Sequence, residues 1–315
     1  MQEQIFVTGS TGCIGHYTLV QLRKSFPNAH LHVMARKVER FKIDIENWSN
    51  VTLHIGGMDD IGKFKDVLKN IDYLIHIATV WGYDLDVNKR INRDRTLEMF
   101  SYLDQNRFKK IVYFSTASIL SKNNSISEAA KVAGTPYVKS KLDAYLAIKE
   151  SKWSNKVITL FPTMVLGGGN QYPYSHISQG LLDIDKHIKW AKWVHLKGSF
   201  HFLHSEDIAK MVIIAMKERN LPLDIVMGNQ VTTFNKTILG IAEFLNQKPI
   251  FQIPFPKWLI NIILLIFKSR VDSWGAHCAK NPHFEYNVHS PKDFGENVTF
   301  PSIVSALKEM RSLNS

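Results

Sequence analysis

The 315-residue chain is 45% hydrophobic and 21% charged, the balance of a soluble globule long enough for a large core. Its net charge of +11 comes from lysines and arginines spread along the chain with no basic block, so nothing specific points to nucleic acid. Two cysteines, Cys13 and Cys278, build no disulfide framework, and no Cys/His spacing suggests a metal site. With the first strand almost at Met1 there is no room for a signal peptide, and a reducing, cytoplasmic setting is expected.

In chain order, the strand Ile5–Thr8 runs into Gly9-Ser10-Thr11-Gly12-Cys13-Ile14-Gly15, and a helix should follow from about Gly15 to Ser25. Glycines at three-residue intervals between a strand and a helix are informative. The first allows the tight turn, the second lets a pyrophosphate approach the backbone, and the third lets the helix pack on the strand. Thr11, Cys13 and Ile14 complete this expected dinucleotide loop, with Cys13 a small apolar filler. The next strand, Leu31–Ala35, ends in Arg36-Lys37 with no acid before Glu39. An acid there would favour NAD, whereas Arg36 matches the extra phosphate of NADP, which we expect over NAD.

Further strands are expected at Val51–Ile55, Tyr73–Ala78, Ile111–Ser115 and Val157–Phe161, with helices at Ile61–Lys69, Asn92–Gln105 and Tyr137–Ser151. Continuously apolar strands alternating with helices predict an α/β protein built on a doubly wound parallel sheet. After Gly167-Gly168-Gly169-Asn170 the texture changes, with aromatics and histidines clustering and the alternation becoming irregular. Residues 1–168 therefore read as the dinucleotide-binding domain. Residues 169–315 read mainly as a smaller substrate lobe, interleaved with the last sheet elements. A helix is expected at Ser205–Lys217, with Ser205 as its cap, while His204 and Asp207 read as structural partners and not as a catalytic pair.

The apolar stretch Trp258–Phe267 is about half the roughly 20 residues that span a bilayer. We expect a buried or pocket-lining helix there, with an interfacial helix on a membrane surface the less favoured alternative. A homodimer is compatible with the composition.

The chemistry centres on Tyr137-Val138-Lys139-Ser140-Lys141. Residues four apart share a helix face, so a phenol and an ammonium reach one locus, and the ammonium favours phenolate. Tyr145 and Lys149 repeat the spacing on the same helix, but Tyr137 stands at the helix start, downstream of Phe114-Ser115-Thr116 at a strand end. Ligands of open α/β sheets bind beyond strand carboxyl ends, so Thr116 is expected beside the substrate and Tyr145 in packing. Trp81 and Tyr83, after the fourth strand, either flank a substrate or cover the sheet end.

Taken together, Thr8-Gly9-x-x-Gly12-x-x-Gly15, Leu74–Ala78, Ser115-Thr116, Tyr137-x-x-x-Lys141, Phe161–Gly167 and His201–Ala209 resemble the extended short-chain dehydrogenase/reductase family, in its epimerase/dehydratase-like branch. The resemblance implies a Rossmann fold, pyrophosphate binding at Gly9, Gly12 and Gly15, and Thr116 as the substrate-orienting hydroxyl. It further implies Tyr137 as acid/base, Lys141 as its tuner and a ribose ligand, Ala78 along the cofactor, and Pro162 near the carboxamide. The chain departs from the family pattern at Gly57, where many members carry an adenine-contacting aspartate, and at Phe161, Met164 and Leu166 in the loop beside the nicotinamide.

From residue 151 onward the only arginines are Arg219, Arg270 and Arg311, few for clamping a nucleotide-sugar diphosphate. The expected function is therefore NADP-dependent hydride transfer to or from a carbonyl or secondary-alcohol carbon of an apolar or aromatic small molecule. The alternatives are a nucleotide-sugar epimerase or dehydratase and a non-catalytic dinucleotide binder.

Overall fold

The computed structural model describes residues 2–169, 171–256, 258–260, 262 and 271–312. Seven strands form one parallel sheet: β1 (Gln4–Thr8), β2 (His30–Ala35), β3 (Val51–Ile55), β4 (Tyr73–His76), β5 (Lys110–Phe114), β6 (Val157–Pro162) and β11 (Asp224–Met227). Their spatial order is β11-β6-β5-β4-β1-β2-β3. The chain winds outward from β1 through β2 to β3, then returns to the other side of β1 with β4. That reversal opens a crevice beyond the carboxyl ends of β1 and β4, where doubly wound sheets bind ligands.

Both faces of the sheet are covered, which is why its strands are apolar throughout. On one face Val7, Ile75 and Val112 pack against Leu19 and Leu22 of α1 (Cys13–Ser25). Met211, Val212 and Ala215, from a later helix at Ser205–Lys217, close the same face. On the other face Phe6, Leu74 and Tyr113 meet Met99, Phe100 and Ala144. Three helices supply that cover after α2 (Lys65–Leu68): α3 (Leu85–Lys89), α4 (Arg95–Ser101) and, after a short α5 (Glu128–Ala133), α6 (Pro136–Glu150).

A third apolar cluster, including Leu166, Phe200, Ile241 and Leu307, belongs to the C-terminal lobe. There the short strands β7 (Met164–Leu166) and β10 (Phe202–His204) pair in parallel, while β8 (Val194–His195) and β9 (Ser199–Phe200) pair with other short segments. The lobe's helices α7 (His176–Leu182) and α8 (Ile184–Ala191) precede these strands, and α9 (Ser205–Lys217) follows them to pack on the sheet. The seventh strand comes from this half of the chain, so the sheet is completed only after the first lobe segment has been laid down.

Three local readings change. The expected helix Asn92–Gln105 is α3, a π turn at Arg90–Asp94, and α4 ending at Ser101. It starts early because the Asp84 carboxylate accepts from the amides of Asp86 and Val87. The expected helix Ile61–Lys69 is a 3₁₀ segment at Met58–Phe64 leading into α2; the Asp60 carboxylate accepts from the Gly57 amide at its start. The cap of α9 is His204 and not Ser205, whose hydroxyl instead donates to the Leu166 carbonyl at 2.9 Å. Asp207 accepts from the amides of Thr299 and Phe300, a structural role.

Of the stretch Trp258–Phe267, residues 261 and 263–267 lie outside the described residues. Among the described residues no helix is long and apolar enough to cross a membrane.

Candidate active site

A cleft of about 1540 Å³ opens at the switch point between β1 and β4. Gly9, Thr11, Gly12, Cys13, Ile14, Gly15, Arg36, Ala78, Thr116, Tyr137, Lys141 and Pro162 all line it. The strand ends and the start of α6 therefore deliver every candidate side chain to one place.

The glycine loop fits a pyrophosphate by what it lacks. Gly9 has φ +71°, and a Cβ there would lie 2.5 Å from the Ala78 nitrogen across the crevice. A Cβ on Gly15 would collide with the Gly9 carbonyl oxygen and with Ser10. At Gly12 the nearest atom to an added Cβ is the Gly9 oxygen at 3.4 Å, so the side left open is the cleft itself. Gly12 is also the N-cap of α1; it offers no side-chain cap, and no acid stands in the first turn. The positive end of the helix is thus presented to the cleft, as anion binding requires. Nearby, the His16 ring bonds the Gly12 carbonyl at 2.9 Å and accepts from the Lys42 amide at 3.1 Å, which braces the loop.

Cys13 Sγ lies 3.2 Å from the Ser205 hydroxyl, and burial pushes its thiol up to about 11. It stays protonated and acts as filler.

At the outer end, Arg36 and Arg40 make no hydrogen bond or ion pair among the described residues. The nearby acids are engaged elsewhere. Asp59 takes Arg90 at 2.6 Å and Arg95 at 3.2 Å, and Asp60 takes Lys63 at 2.6 Å. Gly57 now has a physical reason, because a Cβ there would meet the Arg36 side chain at 3.3 Å. The absent aspartate leaves the path of Arg36 clear.

At the inner end, Thr135 caps α6 by accepting from the Val138 amide at 3.2 Å, and Pro136 opens the helix. That start sets Tyr137 against Thr116. Burial pushes the Tyr137 phenol above its ordinary value, and a hydrogen bond with Thr116 opposes the rise. Lys141, 1% exposed, does not reach the phenol directly. Its ammonium donates to the Phe114 carbonyl at 2.7 Å, lies 5.0 Å from the centre of the Tyr113 ring, and is lowered by burial to about 7. The lowering of the tyrosine expected from this lysine is therefore not seen: desolvation raises the phenol, and the group that opposes the rise is Thr116. A neutral phenol beside a hydroxyl suits donation of a proton to an oxygen brought between them.

The decoy pair resolves differently. Tyr145 donates to Asp224 at 3.0 Å and Lys149 pairs with the same carboxylate at 2.8 Å, away from the cleft.

One feature escaped sequence reasoning. Asn92, on the π turn, accepts from the Thr79 hydroxyl and the Val80 amide, both at 2.9 Å. It also donates to the Val80 carbonyl at 3.1 Å and to Ser140 at 2.9 Å. It ties the loop after β4 to the helix carrying Tyr137, and its only signal in the sequence is an amide at the start of an expected helix. Trp81, 59% exposed, stacks on Tyr137 with ring centroids 4.0 Å apart and planes at 12°. Its placement flanking the site was one of two readings; Tyr83 is fully outside at 94% exposure.

The sequence profile described as the NAD dependent epimerase/dehydratase family matches residues 5–228. No curated protein matches the chain significantly. Among solved structures, the protein named gox2253 aligns over 99% of this chain and 98% of its own at TM-score 0.73 and 17% identity. The terminal R domain of the myxalamid PKS-NRPS biosynthetic pathway covers 99% of this chain and 90% of its own, at TM-score 0.71 and 15% identity. The dTDP-glucose 4,6-dehydratase of Bacillus anthracis, solved with NAD, covers 99% and 97% at TM-score 0.69 and 14% identity. At such identities the likeness is one of fold.

Proposed function

The chain belongs to the NAD-dependent epimerase/dehydratase family and is an NAD(P)-dependent enzyme of the extended short-chain dehydrogenase/reductase type, and from that premise we propose that it is an NADP-dependent oxidoreductase acting on a carbonyl or secondary alcohol of an apolar or aromatic small molecule. The observation that carries this reading is the division of charge along the cleft. Arg36, Arg40 and Lys63 stand at the outer end, and Lys42 is held by the Gly169 carbonyl at 3.3 Å beside Tyr174; of the lining residues beyond residue 78, the lysines and arginines are Arg90, held by Asp59, and Lys141, held by the Phe114 carbonyl. The inner wall is instead Trp81, Met164, Tyr174, Phe200, Phe284 and Tyr286, with His176 and His201.

In this reading the dinucleotide, when bound, supplies the hydride donor or acceptor. The loop Gly9–Gly15 holds the pyrophosphate through the N-terminus of α1, and Arg36 takes the phosphate that distinguishes NADP from NAD. Ala78 and Pro162 border the same ligand. Thr116 orients the substrate oxygen, and Tyr137 gives it a proton or takes one from it. Lys141, fixed by the Phe114 carbonyl, presents a donor to the ribose side of the cleft.

The family name itself favours a second reading, a nucleotide-sugar epimerase or dehydratase. A sugar-nucleotide diphosphate calls for an arginine or lysine clamp, and the inner wall offers no uncommitted one among the described residues. A purely non-catalytic binder finds no support in a cleft that gathers Thr116, Tyr137 and Lys141.

The test is stopped-flow oxidation of NADPH and NADH with a panel of aryl and alicyclic ketones, run beside thermal shift with UDP- and dTDP-sugars. The proposal expects turnover with a ketone, preference for NADPH, and no stabilisation by sugar nucleotides. Stabilisation by a sugar nucleotide with no ketone turnover would replace it with the second reading.

A further inference from the structure

One face of the C-terminal lobe lies away from the cleft. Helix α8 buries Ile188 in the lobe core but leaves Trp190 72% exposed. The chain then turns into β8, which pairs in parallel with Ile253-Pro254; the Ile253 amide donates to the Trp193 carbonyl at 2.8 Å. This pairing sets Phe251 against Trp193, ring centroids 5.3 Å apart. Phe251 and Ile253 are 61% and 62% exposed, so two distant segments join in one uncovered aromatic and aliphatic patch.

The charges nearest the patch in sequence are lysines, with the acids Asp183, Asp185 and Glu243 just outside it. Neither 186–197 nor 247–256 contains an aspartate or glutamate. Lys186 and Lys248 are tied to Asp183 and Glu243, but Lys189, Lys192 and Lys197 have no ion pair among the described residues. Lys189 and Lys192 lie over the indoles of Trp190 and Trp193, at 5.8 Å and 5.4 Å from their centroids. Indoles with lysines beside them are the side chains that settle at the boundary between lipid tails and headgroups.

We propose that this face, built from Trp190, Trp193, Phe251 and Ile253 with Lys189 and Lys192, docks the protein on an anionic lipid surface. The aromatic side chains enter the headgroup layer while the lysines meet lipid phosphates. Among the described residues no helix is long and apolar enough to cross a bilayer. Charge complementarity selects lipid over a second copy of the chain, which would oppose the same lysines to one another. The proposal is independent of the substrate, because none of these residues lines the cleft.

Co-sedimentation of the full chain with phosphatidylcholine vesicles, and with vesicles in which a third of the lipid is phosphatidylglycerol, tests it. The wild type is expected to bind the anionic vesicles and to be released by high salt. The double variants Trp190→Glu/Phe251→Glu and Lys189→Glu/Lys192→Glu should each bind on the order of tenfold more weakly, with NADPH affinity unchanged. Should the first variant fold poorly, the lysine variant, which leaves the apolar groups in place, supplies the readout. A wild-type protein that stays in the supernatant with both vesicles overturns the proposal. So does a folded lysine variant that sediments like the wild type, or a wild-type dimer that the Trp190/Phe251 variant splits.

Discussion

The two ends of the cleft are made of different material. The outer end is backbone: three glycines, the uncapped start of α1, and Arg36 crossing an unsubstituted Gly57. The inner end is side chain, gathered from the loop after β4, from the start of α7, from β9 and from the segment near residue 285. The difference is the one that the proposed ligands would require. An anion is held by N–H groups whose direction the backbone sets, whereas an apolar molecule is held by shape, which needs bulky groups from many directions. Tyr137 stands at the border, in contact with Thr116 and stacked on Trp81.

The sharpest way to separate the ends is Tyr137→Phe. Turnover should fall by about 10²- to 10⁴-fold, the usual contribution of a positioned acid, while NADPH affinity measured by calorimetry stays unchanged. Undiminished turnover would break the assignment of chemistry to the inner end.

A smaller effect is expected at the outer end from Gly57→Asp, which sets a Cβ 3.3 Å from the Arg36 side chain and a carboxylate beside it. The ratio of NADPH to NADH affinity should drop by roughly tenfold or more, about what one charged hydrogen bond contributes. Arg36→Ser should lower the same ratio, and an unaltered ratio in both variants would remove Arg36 from phosphate recognition.

The smallest effect is one of stability. Burial lowers Lys141 from 10.5 to about 7, so between those values the unfolded chain binds a proton that the folded chain has released. Stability contributed at this site should therefore rise with pH through that window. Between pH 7 and pH 9, below the titration of unfolded tyrosines, the wild type should gain stability relative to Lys141→Met in urea midpoints. Parallel curves for the two proteins would show that burial does not lower the Lys141 ammonium as stated.

Much of the outer end was legible because its determinants are local. A strand, three glycines and a helix start are neighbours in the chain, and the i, i+4 spacing places Tyr137 and Lys141 on one face of a helix whose Thr135-Pro136 start is itself a sequence signal. Even Arg36 follows from standing at the end of β2. The helix after β4 was less legible, since the early start at Asp84 and the π turn that turns Asn92 onto Thr79 and Val80 depend on partners outside the helix. The cap of α9 failed for a similar reason: Ser205 is drawn to the Leu166 carbonyl by the pairing of β7 with β10, leaving His204 to cap.

The amino-acid order by itself therefore determined the wound sheet, the glycine loop at the start of α1 and the phenol–ammonium spacing, because each arises from dihedral preference and periodicity over a few residues. Tertiary structure alone decided that Asp59 engages Arg90, that Trp81 covers Tyr137, and that desolvation, opposed by Thr116, sets the phenol's protonation. It also joined Trp193 to Phe251. These are long-range contacts, and their strength depends on burial, which no short window of sequence contains.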